Sequence, residues 1–259
     1  MKREFLDLGK QPLGNKFLNK GQLDNEFFYD LKVVFDEDTK LVSMKEFVKQ
    51  ELNFNAEYPY WTSQSVPMIE HFKNTAQMLQ NEFYPNKVLE IGSNDGTFIK
   101  NFTRHKSICV EPCGNFARYT NEKLDYKTYS SYWTSDRGIF VFEDPSCLSV
   151  LQRNSYDQIY DEHPHLFSVT SLDNLLGQHG LELFRVDNLE VHGGSNRIFA
   201  RLTSDFEPED SVKDNLKREE DFGLKDFETY KKFAERVKKS KEDLLKLLHE
   251  AKSQGKRVM

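Results

Sequence analysis

The chain has 259 residues, long enough for one domain with appendages or two small ones and for a proper buried core. Aromatic residues make up 13% of it, including 21 phenylalanines, which marks a folded protein despite a polar average. The net charge is −6 with acids and bases interspersed, so nothing suggests a nucleic-acid face and polyanion binding is disfavoured.

The first residues, Met1-Lys2-Arg3-Glu4-Phe5-Leu6-Asp7, carry no apolar signal core, and no run approaches the length of a membrane span. A cytoplasmic protein acting on small molecules or proteins is therefore expected. Asp7 to Asn15 reads as a loop, Tyr29–Phe35 and Lys40–Met44 as a small hairpin, and Met44–Leu52 as a short helix. Residues 1–57 are too few to stand alone. Tyr58-Pro59-Tyr60-Trp61-Thr62-Ser63-Gln64-Ser65 is an irregular aromatic and hydroxyl-rich segment, followed by a helix over Pro67–Phe83; its position suits folding over a ligand.

The stretch that organises the chain is Lys87 to Gly96, KVLEIGSNDG. Val88-Leu89-Glu90-Ile91 predicts a short buried strand, Gly92-Ser93-Asn94-Asp95-Gly96 a sharp turn, and Thr97-Phe98-Ile99 the start of a helix. Glycines let backbone approach a ligand closely, and a new helix offers unpaired N–H groups. The acids Glu90 and Asp95 would repel a pyrophosphate but suit a cationic nucleoside, of which S-adenosylmethionine is the common one. A second strand, Ile108-Cys109-Val110, ends in Glu111-Pro112 at the spacing where an acid bonds a ribose hydroxyl pair. Cys109 and Cys113 are spaced like half a zinc site, but with Cys147 they read as buried free thiols.

Asn115–Glu122 predicts a helix, Asp125–Tyr132 a strand and Ile139–Glu143 a buried strand. Only 28 residues separate Glu111 from Ile139, room for one βα unit of roughly 30 residues where a full sheet would hold two. A short helix to about Arg153 follows, and Tyr156–His163 then gathers Asp161, Glu162 and His163. A capped helix runs over Ser171–His179 and stops at Gly180. Leu181–Val191 and Asn196–Leu202 form a hairpin whose turn is His192-Gly193-Gly194-Ser195. Phe206–Asp221 reads as an acidic, solvated linker. Lys225–Gln254 is a long amphipathic helix with Phe227, Tyr230, Phe233, Val237, Leu244 and Leu248 on its apolar face, taken as core cover, and Gly255 onward begins a strand.

Four stretches together resemble the sugar-nucleotide C-methyltransferases, which use S-adenosylmethionine: Leu6–Leu13, Tyr58-Pro59-Tyr60 through His71-Phe72, the Glu90–Gly96 turn, and Asp161-Glu162-His163 through His192-Gly193-Gly194-Ser195-Asn196-Arg197. The resemblance implies an α/β, Rossmann-like class I methyltransferase sheet with a small N-terminal region (1–57), a core (58–203) and a linker with a C-terminal helix (204–259). It also implies that the sheet is shortened. The family's N-terminal zinc domain uses four cysteines; here the first pair would precede Met1 and the second falls near Asp36 and Thr39, so no zinc is expected. One central βα unit and a second Rossmann-like domain after Met259 are also missing.

The implied reaction removes a proton beside the carbonyl of a 4-keto sugar nucleotide, and the enolate attacks the methyl sulfonium. Such a step needs a base of near-neutral pKa and a donor for the oxyanion. His163 is the expected base, Glu162 or Asp161 would orient its imidazole, and Tyr60 would donate to the oxyanion or shape the methyl pocket. Cofactor contacts are expected from Glu90, Gly92, Ser93, Asn94, Asp95, Gly96, Glu111 and Pro112. Substrate contacts are expected from His192, Gly193 and Ser195, with Arg197 holding a diphosphate oxygen through its fork. The alternative is a remnant without turnover that serves as a binding or scaffolding subunit; a homodimer or a complementing subunit would fit either reading.

Overall fold

A computed structural model describes residues 1–130, 138–203 and 207–257. The strands in chain order are β1 (Lys2–Pro12), β2 (Phe28–Asp36), β3 (Val42–Met44), β4 (Val88–Ile91), β5 (Ser107–Val110), β6 (Lys127–Tyr129), β7 (Phe140–Pro145), β8 (His165–Leu166), β9 (Leu181–Leu189) and β10 (Ser195–Leu202). The α-helices are α1 (Gln50–Asn53), α2 (Val66–Phe83), α3 (Gly114–Glu122), α4 (Cys147–Arg153), α5 (Val169–Gly177), α6 (Asp210–Phe222) and α7 (Phe227–Ser253). None of these helices is long and apolar enough to cross a membrane.

The chain divides into two compact units, and they cut across the three-part division expected from the sequence. One holds Met1–Gln11, Phe28–Phe47 and Arg137–Met259; the other holds Pro12–Phe27 and Val48–Asp136.

The second unit carries the parallel sheet, in the order β4-β5-β6. Glu90 stands opposite Cys109 and Ile91 opposite Val110, and β5 pairs in turn with β6 from Ile108↔Lys127 to Val110↔Tyr129. The core beneath it is Ala76, Ile99, Phe102, Cys109 and Tyr126, with Leu79 and Val88 packed alongside. The α/β class read from the sequence is borne out. The strand expected over 125–132 is β6, which lies outside β5 and not beside β7; Ser131 and Tyr132 fall outside the described residues. One expected element is much reduced: after the glycine turn come only two 3-10 turns, Ile99–Asn101 and Arg104–Lys106, before the chain re-enters at Ser107.

The first unit holds two sheets. In one, β7-β10-β9, every pair is antiparallel, so the hairpin forms its own sheet with β7 and does not extend the parallel one. Val169, Leu172 and Leu176 of α5 and Val212 of α6 pack on Leu183, Val186, Ile198 and Ala200 of its strands. The cap of α5 is Ser168, not Ser171: each hydroxyl accepts from or bonds back to the other's backbone in a capping box. Residues 210–222, read as a linker, are helix α6. Its inward stripe of Val212, Asn215 and Glu219 is mostly polar, so it left no hydrophobic period to see.

The other sheet has the order β1-β2-β3-β8. The stretch Asp7–Pro12, read as loop, belongs to β1, and the helix expected over 44–52 is the single turn α1. Its core is completed by α7: Tyr230 stacks on Phe35 at 4.4 Å and tilts against Phe5 at 5.2 Å, and Phe233 and Val237 are buried beside it. Beyond Lys241 the helix leaves this cover. Leu244 is 51% exposed and Leu248 36%, so the apolar face does not continue as core. Residues 255–257 are not a strand, and Val258 and Met259 lie outside the described residues.

These contacts set a stability expectation for the first unit. Phe35→Ala should lower its unfolding free energy by about 4 kcal/mol, whereas Tyr230→Phe, which removes only a hydroxyl donated to Leu224 O at 2.7 Å, should cost about 1 kcal/mol. Urea unfolding of the three proteins checks both the size and the order of the effects.

Candidate functional site

In the second unit the end of β4 turns through three residues of positive φ, Gly92 (70°), Asn94 (47°) and Gly96 (73°). Gly96 is fixed for a further reason: a Cβ there would lie 2.8 Å from Leu124 Cδ1 and 3.1 Å from Thr120 Cγ2. Gly92 N–H donates to Val110 O at 2.7 Å, which ties the turn to the end of β5. Glu111 follows β5 directly and ties it again. Its Oε2 accepts from Asn94 N at 2.6 Å and its Oε1 from Cys113 N at 2.8 Å, so Pro112 is enclosed in a tight corner.

The segment before α2 closes on this turn, as its sequence position suggested. Asn94 Oδ1 accepts from Thr62 N (3.1 Å) and Thr62 Oγ (3.2 Å), and Asn94 Nδ2 donates to Tyr60 O at 3.0 Å. Asp95 Oδ2 accepts from Ser63 N at 2.9 Å while its Oδ1 accepts from Thr97 Oγ at 2.6 Å. Asn94 and Asp95 therefore act first as clamps on backbone. Trp61 is wedged edge-on against Phe116 and Tyr119 of α3, leaving the Tyr60 side chain 42% exposed.

Three acids meet here, and none of them forms an ion pair among the described residues. Burial pushes the Glu90 carboxyl well above the usual range, and the charges of Glu111 and Asp95 push it further, with the Ile99 N–H pulling back. Glu90 Oε2 is enclosed with no hydrogen-bond partner, and so is Asn115 Oδ1 in the first turn of α3. Ser93 is buried against the Cys109 thiol. Two orphaned acceptors inside an acidic corner fit a ligand that brings hydroxyl or ammonium donors and positive charge. The 3-10 turn after Gly96 is too short to supply a helix N-terminus. Asn115 was missed in the sequence; its place four residues after Glu111, at a helix start, was the available signal.

The other expected residues lie in the first unit. His163 is half-buried, with Nδ1 enclosed and unpartnered; Tyr160 packs on its ring at 4.8 Å. Burial lowers its pKa, the nearby His192 lowers it further, and the Gln158 backbone and Asp161 pull upward. Neither Asp161 nor Glu162 bonds Nδ1. Asp161 is bound instead to Tyr29, 132 residues away, which no local pattern could reveal.

His192, Gly193 and Gly194 all have positive φ, and Gln158 Nε2 donates to His192 O at 2.9 Å. Gly194 leaves no space for a Cβ, since Ser149 Oγ would be 2.6 Å from it. Ser195 Oγ donates inward to Val191 O at 3.1 Å. Arg197 does not present a free fork. It stands opposite Glu143 on β7 and Asp187 on β9, and pairs with them at 2.6 Å and 3.6 Å. On the other face of β7, burial pushes the Asp144 carboxyl up to about 7.

Cys109, Cys113 and Cys147 are buried free thiols, as expected. Among the described residues no group of three His, Cys, Asp or Glu side chains could hold a metal ion.

The raised Glu90 makes a pH expectation. Its unfolded value is near 4.5 and its folded value is higher, so the wild type loses stability as pH rises from 4.5 through the folded value. Glu90→Gln carries no such charge. Its stability relative to wild type should rise between about pH 5 and about pH 8, a difference that urea unfolding at both pH values measures.

A family model described as the C-methyltransferase C-terminal domain matches residues 190–259, and one described as a putative zinc binding domain matches residues 1–54. Residues 1–54 contain no cysteine and no histidine, so they do not fit a zinc site of that kind. The C-methyltransferase NovU of Streptomyces niveus is 24% identical over 302 aligned positions, which cover 98% of this chain and 71% of that protein. Since the chain has only 259 residues, more than forty aligned positions of that relative have no counterpart in it. Among solved structures, the magnesium protoporphyrin IX methyltransferase of Synechocystis PCC 6803 with bound SAH aligns with a TM-score of 0.39 at 12% identity. That alignment covers 53% of this chain and 84% of the other, a likeness too distant to bear on the site. Family models match both ends, and a relative aligns along nearly the whole length, so the chain is similar to the C-methyltransferases.

Proposed function

We propose that the chain binds S-adenosylmethionine at the corner of Glu90, Asp95, Glu111 and Asn115 and transfers its methyl group to carbon. The observation that carries the reading is the pair of enclosed, unpartnered acceptors, Glu90 Oε2 and Asn115 Oδ1, inside a corner of three carboxyls. A sulfonium and an ammonium group would supply the missing charge, and ribose hydroxyls the missing donors. When bound, the cofactor supplies an electrophilic methyl group.

The chain's own residues would do the rest. His163, held neutral by burial, accepts a proton from the carbon beside a carbonyl, and Tyr60 offers a phenolic donor to the developing oxyanion. We take the acceptor to be a keto-deoxysugar nucleotide, as the resemblance to the sugar-nucleotide C-methyltransferases suggests. Its diphosphate would be met by the His192–Gly194 turn, because Arg197 is already committed to Glu143 and Asp187.

A second reading has one specific observation in its favour. Among the described residues β4 pairs only with β5, and β7 only with β10. Leu89 and Ile91 of β4 are 36% and 49% exposed, although parallel strands are ordinarily covered on both faces. A chain whose β4 has no second neighbour would serve as a binding subunit beside a partner that supplies one.

Calorimetry separates the two. The wild type should bind S-adenosylmethionine and S-adenosylhomocysteine with micromolar affinity, and Glu111→Ala should weaken this by about 3 kcal/mol, or about 100-fold. A folded chain with no detectable binding would leave only the second reading.

A further inference from the structure

The antiparallel sheet β1-β2-β3-β8 contains an element from far along the chain, and that element is the continuation of the loop bearing His163. Val42 of β3 pairs with Leu166 and Ser43 with His165, and Met44 N–H donates to Pro164 O at 2.8 Å. The residue after His163 is thus already bonded to the N-terminal sheet. On the other side of His163, Tyr29 of β2 grips Asp161 at two points. Its hydroxyl donates to Asp161 Oδ1 at 3.1 Å and accepts from Asp161 N–H at 3.0 Å. Asp161 is 5% exposed, so the carboxylate is enclosed with this donor. Between these two attachments the chain has little freedom, and the turn His163 N–H to Tyr160 O at 3.0 Å closes it.

We propose that the N-terminal sheet is the mount of the base: Tyr29 and the β3–β8 pairing fix residues 160–166, and Tyr29 is a positioning residue for His163. This rests on the reading of His163 as the base. It also gives residues 28–47 a role without a metal, which matters because residues 1–54 match a zinc-type family model yet hold no cysteine or histidine.

The groups facing His163 are Asp161, His192, the Gln158 backbone and the Tyr160 ring. Losing the Tyr29 hydroxyl removes a donor from an enclosed carboxylate. That carboxylate then turns to the imidazolium, or the loop opens to water; either change moves His163 upward. Replacing Asp161 by Asn keeps an acceptor for Tyr29 and the backbone N–H but removes the charge, and moves His163 downward.

The test is a titration of the full chain with isotope-labelled histidine by NMR, with His163 assigned from His163→Gln. Tyr29→Phe should raise the His163 midpoint by about half a unit or more and leave the other histidine signals in place, while Asp161→Asn should lower it. Tyr126→Phe, which removes a hydroxyl bonded to Phe102 O, should not move it. If Tyr29→Phe does not fold, the Asp161→Asn arm decides. An unchanged His163 in a folded Tyr29→Phe or Asp161→Asn chain overturns the mount, as does an equal shift of all histidines. The titration is read without cofactor, so the two readings fail separately. A chain that binds S-adenosylmethionine but whose His163 ignores Tyr29 overturns the mount alone; one whose His163 follows Tyr29 but binds no cofactor overturns the methyl-transfer reading alone.

Discussion

The carboxylate of Glu111 holds the ends of two parallel strands in register at their ligand-facing edge. With one oxygen on Asn94 N–H and the other on Cys113 N–H, it fixes both the turn after β4 and the start of α3. Charge-assisted bonds of this kind are short and strong, and here they replace what a longer helix after the turn would have supplied. Asn94 and Asp95 then extend the same network to Tyr60, Thr62 and Ser63. The consequence is a corner built from acids, preorganised and short of positive charge.

The second constraint is what lies beside β4. In a doubly wound sheet the parallel strands are covered on both faces, and a βα unit takes roughly 30 residues. Only 28 residues separate Glu111 from Ile139, and the aligned relative has more than forty positions without a counterpart here. Besides the four-stranded N-terminal sheet, the described strands form a parallel set of three and an antiparallel set of three, with no hydrogen-bonded strand joining them among the described residues. The N-terminal region has undergone a parallel change. Without metal ligands, its sheet is completed by Tyr230 and Phe233 of α7 on one side and by β8 on its edge.

Much of this was legible in the residues. Alternation and glycine spacing located β4, β5, β7 and the β9–β10 hairpin, and a helix over Pro67–Phe83 was visible because its leading proline is a local signal. Helix α6 was not legible, since its buried face is Val212, Asn215 and Glu219, and Glu219 accepts from the Val169 N–H and from the N–H and hydroxyl of Thr170, all on another element. The chemistry divides the same way. Glu90, Asp95 and Glu111 were readable from position along the chain, but that Glu111 and Asp95 are already bonded to backbone was not. Arg197 was read as a ligand fork because nothing local shows the cross-strand acids Glu143 and Asp187. Tyr29 and Asp161 are joined across 132 residues, a distance no periodicity spans.

The account stands on the claim that the corner of β4, β5 and α3 is the cofactor site. Its most direct test is the amide spectrum of the isotope-labelled chain titrated with S-adenosylhomocysteine. The account predicts saturable shifts centred on Asn94, Gly96, Cys113 and Asn115, the amides bonded to or beside Glu111 and the enclosed acceptors. A folded chain whose shifts avoid these residues, or that shows none at millimolar ligand, would contradict it.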